Sequence, residues 1–265
     1  MTFTDTQMAQ FREQGYLAVL DFWTAQETAA MQAELERLKR DGLLHNVATE
    51  GNGKTMAATK ANLQICPVYP QSDFFRAMPF APKIAEAVSQ LIGDPVILHL
   101  DQIFLKPGKH GVGTNWHQDN AYFHIPDPMQ GTAVWTAVHA ANAANGTMRV
   151  IPGSFRTQYE HSRDPESNHH VRCYPPEAEA VTVELPAGGA LFFAYGVAHA
   201  TGANTTDHER AGMALHFLNE AVAGDAQGMG GIHPYLTGPK ASGGEGEYGV
   251  KVSGTWDAQV ARLAG

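Results

Sequence analysis

Apolar positions change their period about a third of the way along the chain. Before residue 95 they recur at helical spacing; after it they alternate or run together as in strands. Residues 4–14 predict a short helix, and Gly15-Tyr16-Leu17-Ala18-Val19-Leu20 predicts a strand of β-prone residues after a glycine stop. Thr24-Ala25-Gln26-Glu27 is a capping box, and Ala30, Leu35 and Leu38 mark an apolar face before Asp41-Gly42 ends that helix. Residues 51–61 are small and polar, as in a mobile loop, and 79–92 predict another helix closed by Gly93-Asp94-Pro95. Strands are then expected over 96–106, 132–140, 148–152, 181–185, 190–195 and 211–218, an all-β core behind a helical N-terminal part.

Two segments break the rhythm. Residues 156–179 carry Pro, His and charge over a length greater than a connection needs, which predicts a functional loop. The Gly-rich stretch around His233-Pro234-Tyr235 reads as a lid, a free tail or an oligomer contact. The expected organisation is one domain over 1–265: a helical part to about 95, a β-barrel core to about 220, and a lid or tail beyond.

Composition narrows the function classes. With 43% hydrophobic and 17% charged residues the chain is globular, and no apolar run approaches the roughly 18 residues a membrane span needs. No basic segment followed by an apolar run opens it, so a cytoplasmic location is expected. Cys66 and Cys173 suit reduced thiols better than a disulfide framework. Net charge is −9, and the densest basic cluster is Arg37-Leu38-Lys39-Arg40, which argues against nucleic acid and for a small-molecule substrate.

The candidate chemistry lies in Asn115-Trp116-His117-Gln118-Asp119-Asn120-Ala121-Tyr122. On a strand, His117 and Asp119 share a face and can grip one metal ion, with His199 downstream as third ligand. The pair alone is weak evidence. With 13 histidines in the chain, a His-x-Asp arises by chance roughly once. A rival stands at His99-Leu100-Asp101, inside an apolar run where a core histidine is the commoner outcome. Context favours the first pair, which follows a glycine-rich approach and is flanked by Trp116 and Tyr122. His199 sits at the end of an apolar strand; His124, His139 and His216 are the other candidates for its place. Arg210, near the start of the last strand, is the residue type that grips a carboxylate bidentately.

At these residues the chain resembles the phytanoyl-CoA dioxygenase family of Fe(II)/2-oxoglutarate oxygenases. The likeness runs from Phe3 to about Leu218 and includes Phe11-Arg12-Glu13-Gln14-Gly15-Tyr16, the His117 block, Asn145-Gly146-Thr147-Met148-Arg149-Val150-Ile151-Pro152-Gly153-Ser154 and His199-Ala200-Thr201-Gly202-Ala203-Asn204. It implies a double-stranded β-helix, the jelly-roll or cupin-like barrel, with N-terminal helices packed on one sheet. It further implies His117, Asp119 and His199 as iron ligands, with 2-oxoglutarate and O2 as cosubstrates and Arg210 on the distal carboxylate. Gln102, Asn115, Trp135 and Thr201 are then expected at the cosubstrate, and Lys106, Tyr122, Phe123 and Tyr195 at the substrate. Related halogenases have a small residue at the carboxylate position, so Asp119 implies hydroxylation. One departure is Gly212, where many members of the wider superfamily have Ser; Thr201 or Thr136 is expected to supply that hydroxyl.

The expected substrate is a small polar or anionic metabolite or natural-product intermediate, met by a cationic loop carrying His161, Arg163, His169, His170 and Arg172. The alternatives are a non-redox metal-dependent cupin enzyme, either isomerase or hydrolase, an acyl-CoA hydroxylase of the same family, and a barrel that binds without catalysis.

Overall fold

In the computed structural model, which describes residues 2–264, the two N-terminal helices open with the same device. Thr4 and Gln7 form a capping box at the start of α1 (Asp5–Gln14), as Thr24 and Glu27 do for α2 (Ala25–Arg40). Strand β1 (Tyr16–Val19) lies between them, after Gly15 in the left-handed region. Next come β2 (His45–Asn46), β3 (Leu63–Ile65) and α3 (Asp73–Ala77). The helix expected over 79–92 is shorter. A 3-10 turn at Met78–Phe80 precedes α4 (Pro82–Ile92), and Ala81 between them is extended because the Pro82 ring disfavours the α region for the residue before it.

The strand-rich part follows as β4 (Val96–Lys106), β5 (Thr114–His117), α5 (Asn120–Phe123), β6 (Gly131–Ala137) and β7 (Met148–Val150). After these come the hairpin β8 (Ser162–Arg163) and β9 (Val171–Arg172), then β10 (Val181–Val183), β11 (Ala190–Ala194), β12 (His199–Thr201) and β13 (Arg210–Asn219). Short helices α6 (Glu220–Ala223) and α7 (Glu245–Tyr248) lead to α8 (Trp256–Ala264).

All the strand pairs are antiparallel. One sheet has the order β1-β11-β6-β13-β4-β3-β2 and the other β10-β7-β12-β5, the double-stranded β-helix expected from the resemblance. Alternation divides the larger sheet's side chains. Phe192, Met213, Leu215 and Phe217 join the core shared with the helices, while Phe193, Trp135, Ala214 and His216 line a cavity of about 500 Å³ on the opposite face.

The C-terminal segment is packed against the barrel. Pro234 accepts the Leu98 N–H, and the Leu236 N–H donates to Val96, so the chain straps the start of β4. Trp256 of α8 is buried, with its ring centroid 5.2 Å from Trp23 and 4.9 Å from Phe74, and its indole N–H donates to Glu27 at 2.7 Å. Among the described residues, none beyond 216 lines the cavity. Trp256→Ala is expected to cost about 3–5 kcal/mol in urea unfolding, because it empties a packed site and leaves Glu27 one donor short.

Candidate metal and cosubstrate site

Strands β5 and β12 pair with His117 opposite His199. Each imidazole turns its Nδ1 to its own backbone two residues back, His117 to Asn115 O at 2.8 Å and His199 to Val197 O at 3.0 Å. Those carbonyls only accept, so Nδ1 carries the proton in each ring and both Nε2 lone pairs point inward. Asp119 joins them by a route the strand argument missed. Strand β5 ends at His117, and Asp119 has helical angles at the entry to α5, so a turn brings the carboxylate round. Its Oδ1 lies 3.6 Å from each Nε2, and the three ligand atoms lie within 4.8 Å of one another.

The residue between the two candidate ligands is structural. Gln118 donates to Thr157 O at 2.8 Å and Gly196 O at 2.6 Å and accepts the Tyr159 N–H at 3.1 Å, which fastens the turn to the long loop. All three candidate ligands are buried, and burial sets their charges. It pushes both imidazoles down to about 4, so they are neutral donors at neutral pH, and it pushes the Asp119 carboxyl up to about 6. A divalent cation fits this set: it needs neutral nitrogens and compensates the buried carboxylate.

The rival His99-Leu100-Asp101 cannot chelate, because a bulge intervenes. Against β13, Leu100 pairs with His216 but Leu98 pairs with Phe217, leaving His99 as the extra residue. His99 therefore turns toward Tyr195 and the Gln227 carbonyl, while Asp101 faces the opposite side and accepts the Val68 N–H at 3.2 Å. Burial raises the Asp101 carboxyl to about 7 from an ordinary 3.8. In the unfolded chain the group ionises near 3.8, whereas the fold retains the proton to about 7. Its stabilisation, complete below about pH 4, is thus lost as pH climbs through 7, by about 2–4 kcal/mol. Asp101→Asn should remove that slope, so urea unfolding at pH 5 and pH 8 should show the variant gaining on the wild type at pH 8.

The inner end of the cavity is basic. The Arg210 guanidinium donates to the Gly146 carbonyl, and Lys106 Nζ reaches Thr201 Oγ1 at 2.6 Å, Gly202 O at 2.5 Å and Gly146 O at 3.4 Å. Both side chains are almost wholly buried, and among the described residues Arg210 Nε has no hydrogen-bond partner. Burial, with the neighbouring Arg210 charge second, drives the Lys106 ammonium well below its ordinary value, and burial lowers Arg210 to about 10. Among the described residues no carboxylate pairs with either, so a dicarboxylate's far end fits here. Trp135 lies under Arg210, its ring centroid 5.4 Å from the guanidinium carbon. Gly212 makes room for it: a Cβ there would collide with the Trp135 ring, which is the physical reason serine is absent.

Gln102, Thr201, Trp135, Lys106, Tyr122 and Phe123 line the cavity, as do Arg210 and the three candidate ligands. Lys106 belongs to the anchor end beside Arg210, away from where substrate was expected. Two expectations are corrected. Asn115 is exposed and its amide donates to both Asp164 oxygens at 3.0 Å, because β5 slips register between Thr114 and His117 and turns this residue outward. Tyr195 is fully buried behind Phe123, with its hydroxyl 3.3 Å from His99, so it supports the wall without forming it. Thr136 faces the helices and accepts the Trp23 indole N–H, which leaves Thr201 as the hydroxyl near the anchor.

The long loop also differs from its expected character. Burial lowers His161 and His169 and drives His170 well down, Arg163 donates to Asn168 O, and Arg172 stacks on Tyr174. Among the residues lining the cavity, the Lys and Arg side chains are Lys106 and Arg210 alone. Sequence reasoning placed neither Phe104 nor Gln64 in the cavity, and it entertained His216 only as a spare ligand. The signal was alternation: Gln102, Phe104 and Lys106 share one face of β4, and Arg210, Ala214 and His216 share one face of β13. His124 is exposed and His139 accepts the Ala211 N–H, so neither reaches the site.

The model of the phytanoyl-CoA dioxygenase (PhyH) family matches residues 11–212. Among curated proteins, the ectoine dioxygenase of Bordetella parapertussis is 24% identical over 226 residues, covering 78% of this chain and 72% of the relative. Among solved structures, EctD from S. alaskensis with 2-oxoglutarate and 5-hydroxyectoine has a TM-score of 0.66 at 22% identity, covering 83% of this chain and 77% of that one. SnoK, a non-heme alpha ketoglutarate dependent carbocyclase from nogalamycin biosynthesis, has a TM-score of 0.69 at 19% identity, covering 82% and 85%.

Proposed function

The chain belongs to the phytanoyl-CoA dioxygenase family, and from that premise we propose that it is an Fe(II)/2-oxoglutarate-dependent dioxygenase that hydroxylates a small polar metabolite or natural-product intermediate. The observation that carries this reading is one cavity with a His117/Asp119/His199 cluster on its wall and the paired cations Arg210 and Lys106 at its inner end. When bound there, iron(II), 2-oxoglutarate and O2 supply the oxidation of an unactivated C–H bond, with release of succinate and CO2.

The chain's own residues do the rest. His117 and His199 are held neutral with Nε2 inward, and Asp119 supplies the single negative charge of the metal set. Arg210 and Lys106 take the distal carboxylate, with Thr201 Oγ1 keeping the Lys106 ammonium in place. Trp135, stacked against the Arg210 guanidinium, keeps water from that end. Retention of Asp119 leaves no ligand position freed for halide, which favours hydroxylation.

Substrate meets a different surface. Leu100, Phe104, Tyr122 and Phe123 offer apolar and aromatic walls, and His45, His169 and His170 offer imidazole donors and acceptors. With both lining cations assigned to the cosubstrate, a neutral or zwitterionic polar substrate fits better than a strongly anionic one. The paired basic side chains Arg210 and Lys106, which suit the far end of a dicarboxylate, favour this reading over a non-redox cupin enzyme. Succinate release, measured with Fe(II) and 2-oxoglutarate across a panel of cyclic amino acids, natural-product scaffolds and acyl-CoA thioesters, tests the proposal. Stimulation by a small polar scaffold supports it; stimulation by acyl-CoA thioesters alone overturns the substrate class.

A further inference from the structure

Behind Asp119 stands a chain of three side chains that no step above uses. Gln64 Nε2 donates to Gln102 Oε1 at 2.7 Å, and Gln102 Nε2 lies 3.1 Å from His216 Nε2. On the far side of the ring, His216 Nδ1 faces Asp119 Oδ2 at 3.5 Å. Both facing atoms are buried, and among the described residues neither has a hydrogen-bond partner, so each is left to satisfy the other. The ring itself is sealed by Phe123, with centroids 5.6 Å apart, and by Tyr195 at 6.0 Å.

The carboxylate sets the polarity of the whole chain. An ionised carboxylate only accepts, so the facing Nδ1 must carry the ring's proton. Nε2 is then the acceptor, Gln102 must present its amide N–H to it, and the Gln102 oxygen is left to accept from Gln64. That is the arrangement observed. The two oxygens of Asp119 are thereby given separate tasks. Oδ1 faces both His117 Nε2 and His199 Nε2, while Oδ2 faces His216.

We infer that His216 is a positioning residue for the metal carboxylate: through Nδ1–H it holds Asp119 Oδ2, so that Oδ1 alone is offered to the metal, and Gln102 and Gln64 fix its tautomer. This rests on the metal reading of His117, Asp119 and His199 proposed above. Partners of this kind orient ligands, and their loss typically costs about 10- to 100-fold in metal affinity.

The test is Mn(II) affinity of the full-length protein, read from the free-ion EPR signal without 2-oxoglutarate, so that neither turnover nor cosubstrate binding enters. His216→Phe should weaken Mn(II) binding at least about tenfold, and His216→Asn, whose amide can donate to Oδ2, should recover most of it. Gln102→Leu breaks the same chain one link back and should weaken binding by a smaller factor, which keeps the inference open to test should His216→Phe not fold. In an Asp119→Ala background, His216→Phe should cost nothing further. Wild-type affinity in both His216→Phe and Gln102→Leu, or an equal loss on the Asp119→Ala background, overturns the inference and leaves the metal site standing. Absence of Mn(II) binding by the wild type overturns both.

Discussion

His199→Ala should reduce succinate formation from 2-oxoglutarate by on the order of a thousandfold or more, while the protein stays folded. Losing a partner of a ligand already costs about 10- to 100-fold in metal affinity, and losing a ligand itself costs more. Here the loss falls on a set of only three, in which His199 Nε2 and His117 Nε2 approach the same Asp119 oxygen at 3.6 Å. Among the described residues, the imidazole's one hydrogen bond is the Nδ1–H to Val197 O at 3.0 Å. Its removal forfeits about 1 kcal/mol of hydrogen bonding plus the packing against Phe193, 4.5 Å away between centroids. Far-ultraviolet circular dichroism and a urea midpoint should therefore stay close to wild type while turnover disappears. Turnover above a tenth of wild type would remove His199 from the metal set.

Arg210→Ala should act on the other end of the cavity and leave a different signature. A charged hydrogen-bonded contact to a carboxylate in a buried site is worth about 1.5–3 kcal/mol, so the KM for 2-oxoglutarate should rise roughly 10- to 100-fold. The fall in kcat should be smaller, because Lys106 remains beside the vacated place and still reaches Gly146 O and Gly202 O. Arg210→Lys should recover only part of the loss: the planar fork that stacks on Trp135 at 5.4 Å is gone, and a second ammonium so close to Lys106 is repelled. Titration of 2-oxoglutarate at fixed, saturating iron separates the two parameters. An unchanged KM in Arg210→Ala would place the distal carboxylate elsewhere.

Much of this is legible in the sequence, and the physical reason differs from element to element. The Thr24/Glu27 capping box marks the start of α2 because cap chemistry is local, and the alternation along β4 and β13 marks strands because one face is packed and the other lines a cavity. What escaped is whatever depends on a slip in register. The bulge at His99 parts it from Asp101 and disarms a motif that sequence spacing alone makes as good as His117-x-Asp119. The slip between Thr114 and His117 turns Asn115 outward. Tyr195 was misplaced for another reason: one residue beyond β11, it is covered by Phe123, and which of two aromatics stands in front depends on packing. His216 and Gln64 were invisible as partners because their link to Asp119 runs across three strands distant in sequence.

On this reading one cavity holds iron between His117, Asp119 and His199, and 2-oxoglutarate between that iron and Arg210. Anaerobic addition of Fe(II) followed by 2-oxoglutarate, watched in the visible spectrum, tests it most directly. A weak charge-transfer band should appear only when both are present, be absent in His199→Ala, and need higher 2-oxoglutarate to saturate in Arg210→Ala. Fe(II) bound at full occupancy with no band on adding 2-oxoglutarate, or a band of wild-type strength in His199→Ala, would contradict it.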